Sequence, residues 1–116
     1  MEFIEAPTFT KLLSSYMDDG EYRGLQHALL LNPEAGDLIQ GTGGFRKIRW
    51  ADPRRGKGKR GGLRVIYFFF PEEKQIWLLT LYGKDEADDL SSNQKHALKS
   101  AIEEEKRART KKRNEK

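Results

Sequence analysis

The sequence predicts a small α+β fold: two helices, an antiparallel β-meander and a final helix, in that order along the chain. Two changes in the spacing of apolar residues along the chain predict it. Helical spacing near the amino terminus gives way to alternation between Phe45 and Gly83, and helical spacing returns after Leu90. The 116 residues suggest a single domain with one modest core. We expect the helices to pack on one sheet face and to leave the other face open.

Two short helices are predicted before the sheet. In PTFTKLLSSYM, Pro7 signals a helix start, and the apolar residues after it recur at helical spacing. In DDGEYRGLQHALLLNP, Asp18 or Asp19 is the expected N-cap, and Pro33 marks the end. The segment EAGDLIQGTGG that follows is rich in turn-forming residues and is predicted to be a connector.

Three strands are predicted next. FRKIRW alternates, so Ile48 and Trp50 should face one side of the sheet. Lys47 and Arg49 should then face the other side. A basic loop, roughly residues 51–62, leads into LRVIYFFF, which is rich in β-branched and aromatic residues. The turn PEEKQ before IWLLTLYGK is too short for a parallel crossover, so this pairing must be antiparallel.

The final helix is predicted from LSSNQKHALKSAIEEEKRART. Ser91 and Gln94 have the spacing of a capping box. Two acid–base pairs four residues apart are expected to extend the helix without burying it: Glu103 with Arg107, and Glu105 with Arg109. We therefore expect residues 1–102 to form a single domain, and residues 103–116 to form a charged helical extension with a basic tail.

Positive charge is concentrated in one segment. The chain carries a net charge of +4, but residues 46–64 contain nine Lys or Arg and one acid, Asp52. That segment is therefore +8, and the remainder is −4. Such clustering is the electrostatic footprint of a protein that binds nucleic acid or phosphate. A solvated charge run that only aids solubility is the alternative.

Several classes of site are not expected. The chain has no cysteine and two histidines without metal-ligand spacing, so we expect no disulfide and no metal site. The segment GKGKRG, residues 56–61, matches G-x-G-x-x-G, but a strand follows it rather than a helix, so no nucleotide cofactor is expected. No apolar run approaches the ~20 residues of a membrane helix, and the amino terminus lacks signal-peptide features. The default expectation is a cytoplasmic location.

The predicted strands bring several cations towards one surface. Alternation puts Lys47 and Arg49 on the same side of one strand, Arg64 begins the next strand, and Lys84 ends the third. The glycine-rich loop lets its backbone follow a phosphate chain, so its cations are candidate RNA contacts together with one arginine of the preceding strand: Arg46, Arg54, Arg55, Lys57, Lys59 and Arg60. Ordinary exposed residues that keep a sheet soluble are the alternative.

The motifs GTGGFRKIRW, GKGKRGGLRVIYFFF and WLLTLYGKDEADDL resemble the RelE/HigB family of toxins from bacterial type II toxin–antitoxin systems. The similarity is closest to the HigB-type branch and covers about residues 1–102. It implies a RelE-like fold that cleaves messenger RNA in the ribosomal A site. It also implies a cognate antitoxin, usually with a helix-turn-helix DNA-binding domain, that neutralises the toxin.

The resemblance also implies a set of site residues. The family's basic positions fall on Lys47, Arg49, Arg64 and Lys84. Many relatives carry a second arginine at the place of Asp85 and a catalytic tyrosine near Leu90, and this chain departs from both. Tyr82 or Tyr67 is the candidate replacement for that tyrosine.

The implied reaction is a transesterification without a metal ion, in which a 2′-hydroxyl attacks the adjacent phosphate and leaves a 2′,3′-cyclic phosphate. Arg64 would stabilise the pentacoordinate phosphate. Lys47 is the candidate base, since neighbouring cations favour a neutral amine. Lys84 or Tyr82 would assist the leaving 5′-oxygen. Two other readings stay open: a non-catalytic RNA-binding module that uses the same face, and a toxin-like relic or protein-interaction partner.

Overall fold

A computed structural model describes residues 1–52, 56, 58, 62–85 and 90–114, and it confirms the α+β class. The helices in this part of the chain are α1 (Pro7–Tyr16), α2 (Asp19–Leu31) and α3 (Ser92–Asn114). The strands are β1 (Glu2–Glu5), β2 (Asp37–Leu38), β3 (Arg46–Trp50), β4 (Leu63–Phe70) and β5 (Gln75–Gly83). They form one sheet in the order β1-β5-β4-β3-β2. Within these described ranges, no helix has the length and apolar character needed to cross a membrane.

Capping boxes begin two of the helices. The Asp18 carboxylate accepts a bond of 2.7 Å from the Glu21 backbone N–H, and the Glu21 side chain accepts one of 2.9 Å from the Asp18 N–H. Ser91 and Gln94 make the same reciprocal pair before α3, with distances of 3.1 and 2.8 Å. These bonds satisfy backbone donors that the first turn of a helix leaves unpaired. The predicted starts of α2 and α3 are therefore confirmed, and Asp18 is the N-cap of α2.

Replacing the α2 cap should have a measurable cost. We expect Asp18→Ala to lower the free energy of unfolding by about 1 kcal/mol, because the Glu21 N–H loses its acceptor. Urea denaturation of the purified protein measures this difference. Asp19→Ala is the control, since Asp19 lies in the first turn, where its charge contributes only through the helix dipole. An equal or larger loss in Asp19→Ala would contradict the assignment of the cap.

The predicted meander is confirmed, and two short edge strands add to it. Strands β3, β4 and β5 pair antiparallel, with one register shift between Ile66 and Tyr67. The sequence predicts no strand at the amino terminus, yet β1 pairs parallel with β5. It predicts a connector where the two-residue β2 pairs antiparallel with β3. Both additions lie at sheet edges.

The larger core lies between the first sheet face and helices α1 and α2. Ile48 of β3 and alternate residues of β4 and β5 point to this face, as the alternation predicts. Phe9, Leu25 and Leu29 of the two helices are fully buried against them. Beside this core, the Tyr22 hydroxyl donates a 2.8 Å bond to a Glu5 carboxylate oxygen. Burial and this carboxylate raise the pKa of the Tyr22 phenol above its ordinary value.

Helix α3 packs on the opposite sheet face, so the prediction that all helices share one face is wrong. Its Ile102 is buried against Phe68 and Phe70, which project from β4 on that side. The Arg109 guanidinium lies 3.7 Å from the centroid of the Phe70 ring. The physical reason is that residues 67–70 of β4 carry large apolar side chains on both faces of the sheet. Both faces must therefore be covered by other elements of the fold.

The charged half of α3 lies on the β4–β5 turn. Arg113 contacts the Glu72 carboxylate and lies 3.1 Å from Glu73. Arg109 pairs with Glu105 at 3.4 Å, as the spacing predicts, but its side chain is only 16% exposed. The expectation that this pair extends the helix without burial is therefore wrong for Arg109, because its guanidinium stacks on the aromatic rings of the sheet.

Candidate nucleic-acid interface

Arg49, Arg64 and Tyr82 form one row across three adjacent strands. Arg49 on β3 is the register partner of Arg64 on β4, and Arg64 is the partner of Tyr82 on β5. Directly opposed residues of an antiparallel sheet project to the same face. Lys47 lies two residues from Arg49 and therefore projects to that face as well. The structure thus brings Lys47, Arg49, Arg64 and Tyr82 to one side of the sheet, and for Lys47 and Arg49 this is the shared side that the alternation predicts.

A cleft of about 340 Å³ opens beside this row. Helix α3, strand β2 and the segment after it, and the three central strands all contribute to it. Its lining residues are Asp37, Leu38, Ile39, Gln40, Lys47, Arg49, Ile66, Tyr82, Leu90 and Lys95. Ile66 is fully buried, whereas Arg49 is exposed and Lys47 and Tyr82 are half-buried. The cleft therefore combines an apolar centre with cationic groups that solvent can reach.

Arg64 is more deeply buried than the sequence suggests. It lies between Arg49 and Tyr82 in the row, but only 7% of its surface is exposed, and it is not among the residues that line the cleft. Its Nη1 donates a 3.1 Å bond to the Leu63 carbonyl. It lies on β4, the central strand of the sheet, with β3 and β5 on either side. A buried cation acts on nearby anions through a lower effective dielectric constant than a surface cation does.

Lys84 lies beside Gly62, the residue at which the basic loop ends. It follows β5 directly and is exposed, and its backbone N–H donates a 2.9 Å bond to the Gly62 carbonyl. A Cβ on Gly62 would come within 2.3 Å of the Trp50 carbonyl oxygen, so only glycine fits this close approach. The loop cations predicted to bind RNA lie outside the described residues: Arg54, Arg55, Lys57, Lys59 and Arg60.

Arg46 lies apart from the other predicted site residues. It projects to the face opposite Lys47, since it is the neighbour of Lys47 on β3. Its Nη1 donates a 2.8 Å bond to the Gly36 carbonyl, and its Nη2 lies 3.2 Å from a Glu34 carboxylate oxygen. These contacts hold the connector after α2 against the sheet. The structure therefore gives Arg46 a role in packing and does not bring it to the cleft.

Of the two candidate tyrosines, Tyr82 is the one that reaches the cleft. Tyr67 is fully buried on the opposite face. Its hydroxyl donates a 2.8 Å bond to the Pro33 carbonyl and accepts a 2.9 Å bond from the Gly36 N–H. Burial raises the pKa of Tyr67 above the ordinary value of a phenol. Tyr67 is therefore a structural residue.

Two charged residues of the cleft were not predicted, Asp37 and Lys95. Asp37 is the register partner of Lys47, on the strand that was expected to be a connector. Lys95 lies in the first turn of α3, and its side chain is about 3.9 Å from where a Cβ of Gly41 would be. Lys95 could have been found by assigning α3 to the cationic face. Asp37 has no comparable sequence signal, because its strand is two residues long.

Leu90 is the first of the two positions at which the sequence departs from the motif resemblance. It lines the cleft with an apolar side chain, where the resemblance predicts a tyrosine nearby. Asp85 follows Lys84, and residues 86–89 lie outside the described ranges. Among the residues that the structure does describe, no three His, Cys, Asp or Glu side chains are grouped so that they could hold a metal ion.

Comparison with known proteins gives a structural likeness and no sequence family. No family model matches the sequence. The chain is similar to a chain in the crystal structure of an archaeal RelE–RelB complex from Pyrococcus horikoshii OT3. The two are 22% identical, the match covers 74% of this chain and 97% of that chain, and the TM-score is 0.49. Membership of the RelE/HigB family, and of its HigB-type branch, remains a prediction from the sequence motifs.

Proposed function

We propose that this protein is a ribosome-dependent endoribonuclease: the toxin of a toxin–antitoxin pair, which cleaves mRNA in the ribosomal A site and so inhibits translation. The observation that carries the proposal is the row of Arg49, Arg64 and Tyr82 on three adjacent strands, beside Lys47 and an open cleft. Clustered cations with a proton-donating phenol suit the binding and breaking of a phosphodiester. The motif resemblance to RelE/HigB toxins supports the same function.

The proposed reaction is a transesterification that needs only charge stabilisation and proton transfer. Lys47 and Arg49 hold the scissile phosphate at the cleft, and the buried charge of Arg64 stabilises the extra negative charge of the pentacoordinate phosphate. The 2′-hydroxyl attacks in line, and a 2′,3′-cyclic phosphate forms. The Tyr82 phenol or the Lys84 ammonium protonates the leaving 5′-oxygen. The ribosome supplies the substrate geometry that this small site does not impose.

The basic loop, residues 51–62, is proposed to dock on the ribosomal RNA backbone. The close approach of Gly62 to Trp50 joins the base of this loop to the strands that carry the cationic row. Cations on the loop would then add salt-dependent affinity without base specificity. A cognate antitoxin that neutralises the toxin belongs to the same proposal, as does action in the cytoplasm, where ribosomes translate.

The test is primer extension on a message translated by purified ribosomes, with and without added protein. We expect discrete cuts at A-site codons that depend on both the protein and the ribosome. Message without ribosomes should be cut far more weakly under the same conditions, because nothing then holds the 2′-hydroxyl in line with the scissile bond. If translated message shows no discrete cuts, the catalytic proposal is wrong.

A non-catalytic RNA-binding module is the second candidate. It is favoured by the burial of Arg64, which reduces the cationic groups that a substrate can touch, and by leucine at position 90, which offers no proton donor or acceptor. Such a module would bind RNA through the same cleft and produce no cuts. The primer-extension experiment therefore separates the two functions directly.

Binding itself should depend on Arg49 under either function. We expect Arg49→Ala to weaken RNA binding uniformly across sequences, and to reduce the slope of log affinity against log salt by about 1, because one phosphate contact is lost. Filter binding at several KCl concentrations measures both effects. Arg46→Ala is the matched control, since it removes an arginine from the same strand but from the opposite face. Equal salt slopes for the two variants would contradict the assignment of the binding face.

A further inference from the structure

We infer that Asp37 is the catalytic base of this site: its carboxylate accepts the proton of the attacking 2′-hydroxyl, while Lys47 stays a cation that holds the phosphate. This inference rests on the proposed function and changes the role that the sequence suggests for Lys47. It follows from the position of one carboxylate among the described residues of a cationic cleft, and from what a base must be able to do at neutral pH.

The geometry places Asp37 next to Lys47. The two residues are register partners on β2 and β3, and both line the cleft. Directly opposed residues of an antiparallel pair have Cβ atoms about 4.5–5.5 Å apart. Among the residues described as lining the cleft, Asp37 is the one carboxylate, and it is exposed to solvent. A 2′-hydroxyl whose adjacent phosphate lies on Lys47 and Arg49 is therefore within reach of this carboxylate.

The position of Asp37 is fixed from both sides. Before it, the Gly36 N–H donates to the Tyr67 hydroxyl at 2.9 Å, and the Gly36 carbonyl accepts from Arg46 at 2.8 Å. After it, the Ile39 N–H donates to the Phe45 carbonyl at 2.9 Å. A Cβ on Gly36 would lie 2.9 Å from the Tyr67 ring and 3.0 Å from the Lys47 carbonyl, so the chain is packed tightly there. The two-residue strand thus holds Asp37 at a set distance from β3.

The chemistry favours a carboxylate over an amine as the proton acceptor. Model carboxyl groups are ionised near neutral pH, whereas model lysine amines are protonated and must first lose a proton. A general base must be in its unprotonated form and near the hydroxyl it serves. The cations around Asp37 offset its repulsion from the phosphate. Lys47, as an ammonium, then contributes charge where the phosphate needs it.

The step balances with the groups already named. The 2′-hydroxyl proton passes to an Asp37 carboxylate oxygen as the bond from O2′ to phosphorus forms. The bond from phosphorus to O5′ breaks, and O5′ takes a proton from Tyr82 or Lys84. Exchange with water then returns the proton from Asp37 and restores the donor. One proton has moved from the 2′-oxygen to the 5′-oxygen, and no oxidant or reductant takes part.

The test compares Asp37→Asn, Asp37→Glu and a matched control on message bound to purified ribosomes. We expect Asp37→Asn to lower the single-turnover cleavage rate by about 10²- to 10⁴-fold, the usual effect of losing a general base. RNA affinity should be unchanged or tighter, because a negative charge leaves a cationic cleft. Asp37→Glu should recover part of the rate. Glu104→Gln, which makes the same charge change at an exposed position of α3, should cut like the wild type.

The outcomes separate this inference from the proposed function. Wild-type cleavage with an equally active Asp37→Asn would overturn the role of Asp37 and leave the endoribonuclease intact. A parallel fall of rate and affinity in both Asp37 variants would also overturn it, since that pattern indicates a structural role. If the wild type makes no cuts while binding RNA, the proposed function itself fails.

Discussion

Replacing Arg64 by alanine is expected to slow cleavage of ribosome-bound mRNA by about 10²-fold or more. Arg64 lies in the centre of the cationic row, between Arg49 and Tyr82, and is 7% exposed. A cation in that setting is poorly screened by water, so it stabilises charge that develops on the phosphate more strongly than an exposed arginine would. RNA binding should fall much less, because Arg49 and Lys47 remain at the cleft. Single-turnover cleavage and filter binding measure the two effects.

Two control variants make the Arg64 result interpretable. Arg64→Lys keeps a positive charge but loses the planar guanidinium, so it should recover part of the rate if charge is the main contribution. Arg23→Ala removes an exposed arginine of α2, the helix that packs on the opposite sheet face, and it should leave the cleavage rate nearly unchanged. Thermal melts must show that each variant is folded at the assay temperature. Equal cleavage losses in folded Arg23→Ala and Arg64→Ala would contradict the assignment of the face.

Local signals in the sequence predicted most of the elements. The capping boxes at Asp18 and Ser91 fixed two helix starts, because each depends only on residues three apart. Alternation in β3 assigned Lys47 and Arg49 to one face and Ile48 to the other, because it depends only on neighbouring residues of one strand. The short turn after β4 required antiparallel pairing. Each of these predictions uses information that a short segment contains.

The features that the sequence did not reveal depend on distant partners. Strand β1 forms because Glu2–Glu5 lies beside Gln75–Leu78, more than seventy residues away in the chain. The face chosen by α3 depends on Phe68 and Phe70, which local alternation cannot distinguish from residues of the first core. Lys95 and Asp37 enter the cleft only through these two kinds of contact. Periodicity reports which residues share a face, but not which other element covers it.

Tyr67→Phe is expected to lower the free energy of unfolding by about 1–3 kcal/mol, although the ring and its packing are kept. The hydroxyl is buried, accepts a bond from the Gly36 N–H and donates one to the Pro33 carbonyl. Its removal leaves a buried donor without its partner, which costs more than an ordinary hydrogen bond contributes. Urea denaturation of the variant and the wild type measures the difference.

The companion variant Tyr82→Phe should behave in the opposite way. Tyr82 is half-buried in the cleft, and its phenol is a candidate proton donor to the leaving 5′-oxygen. Its replacement should slow cleavage and change stability little, whereas folded Tyr67→Phe should slow cleavage less, and only through the lost Gly36 bond that positions Asp37. If both tyrosines instead acted as proton donors in catalysis, cleavage would slow to a similar extent in both variants. A stable Tyr67→Phe that cuts more slowly than Tyr82→Phe would mean that the catalytic face is the one that α1 and α2 cover, which is the reverse of the face proposed for the cationic row.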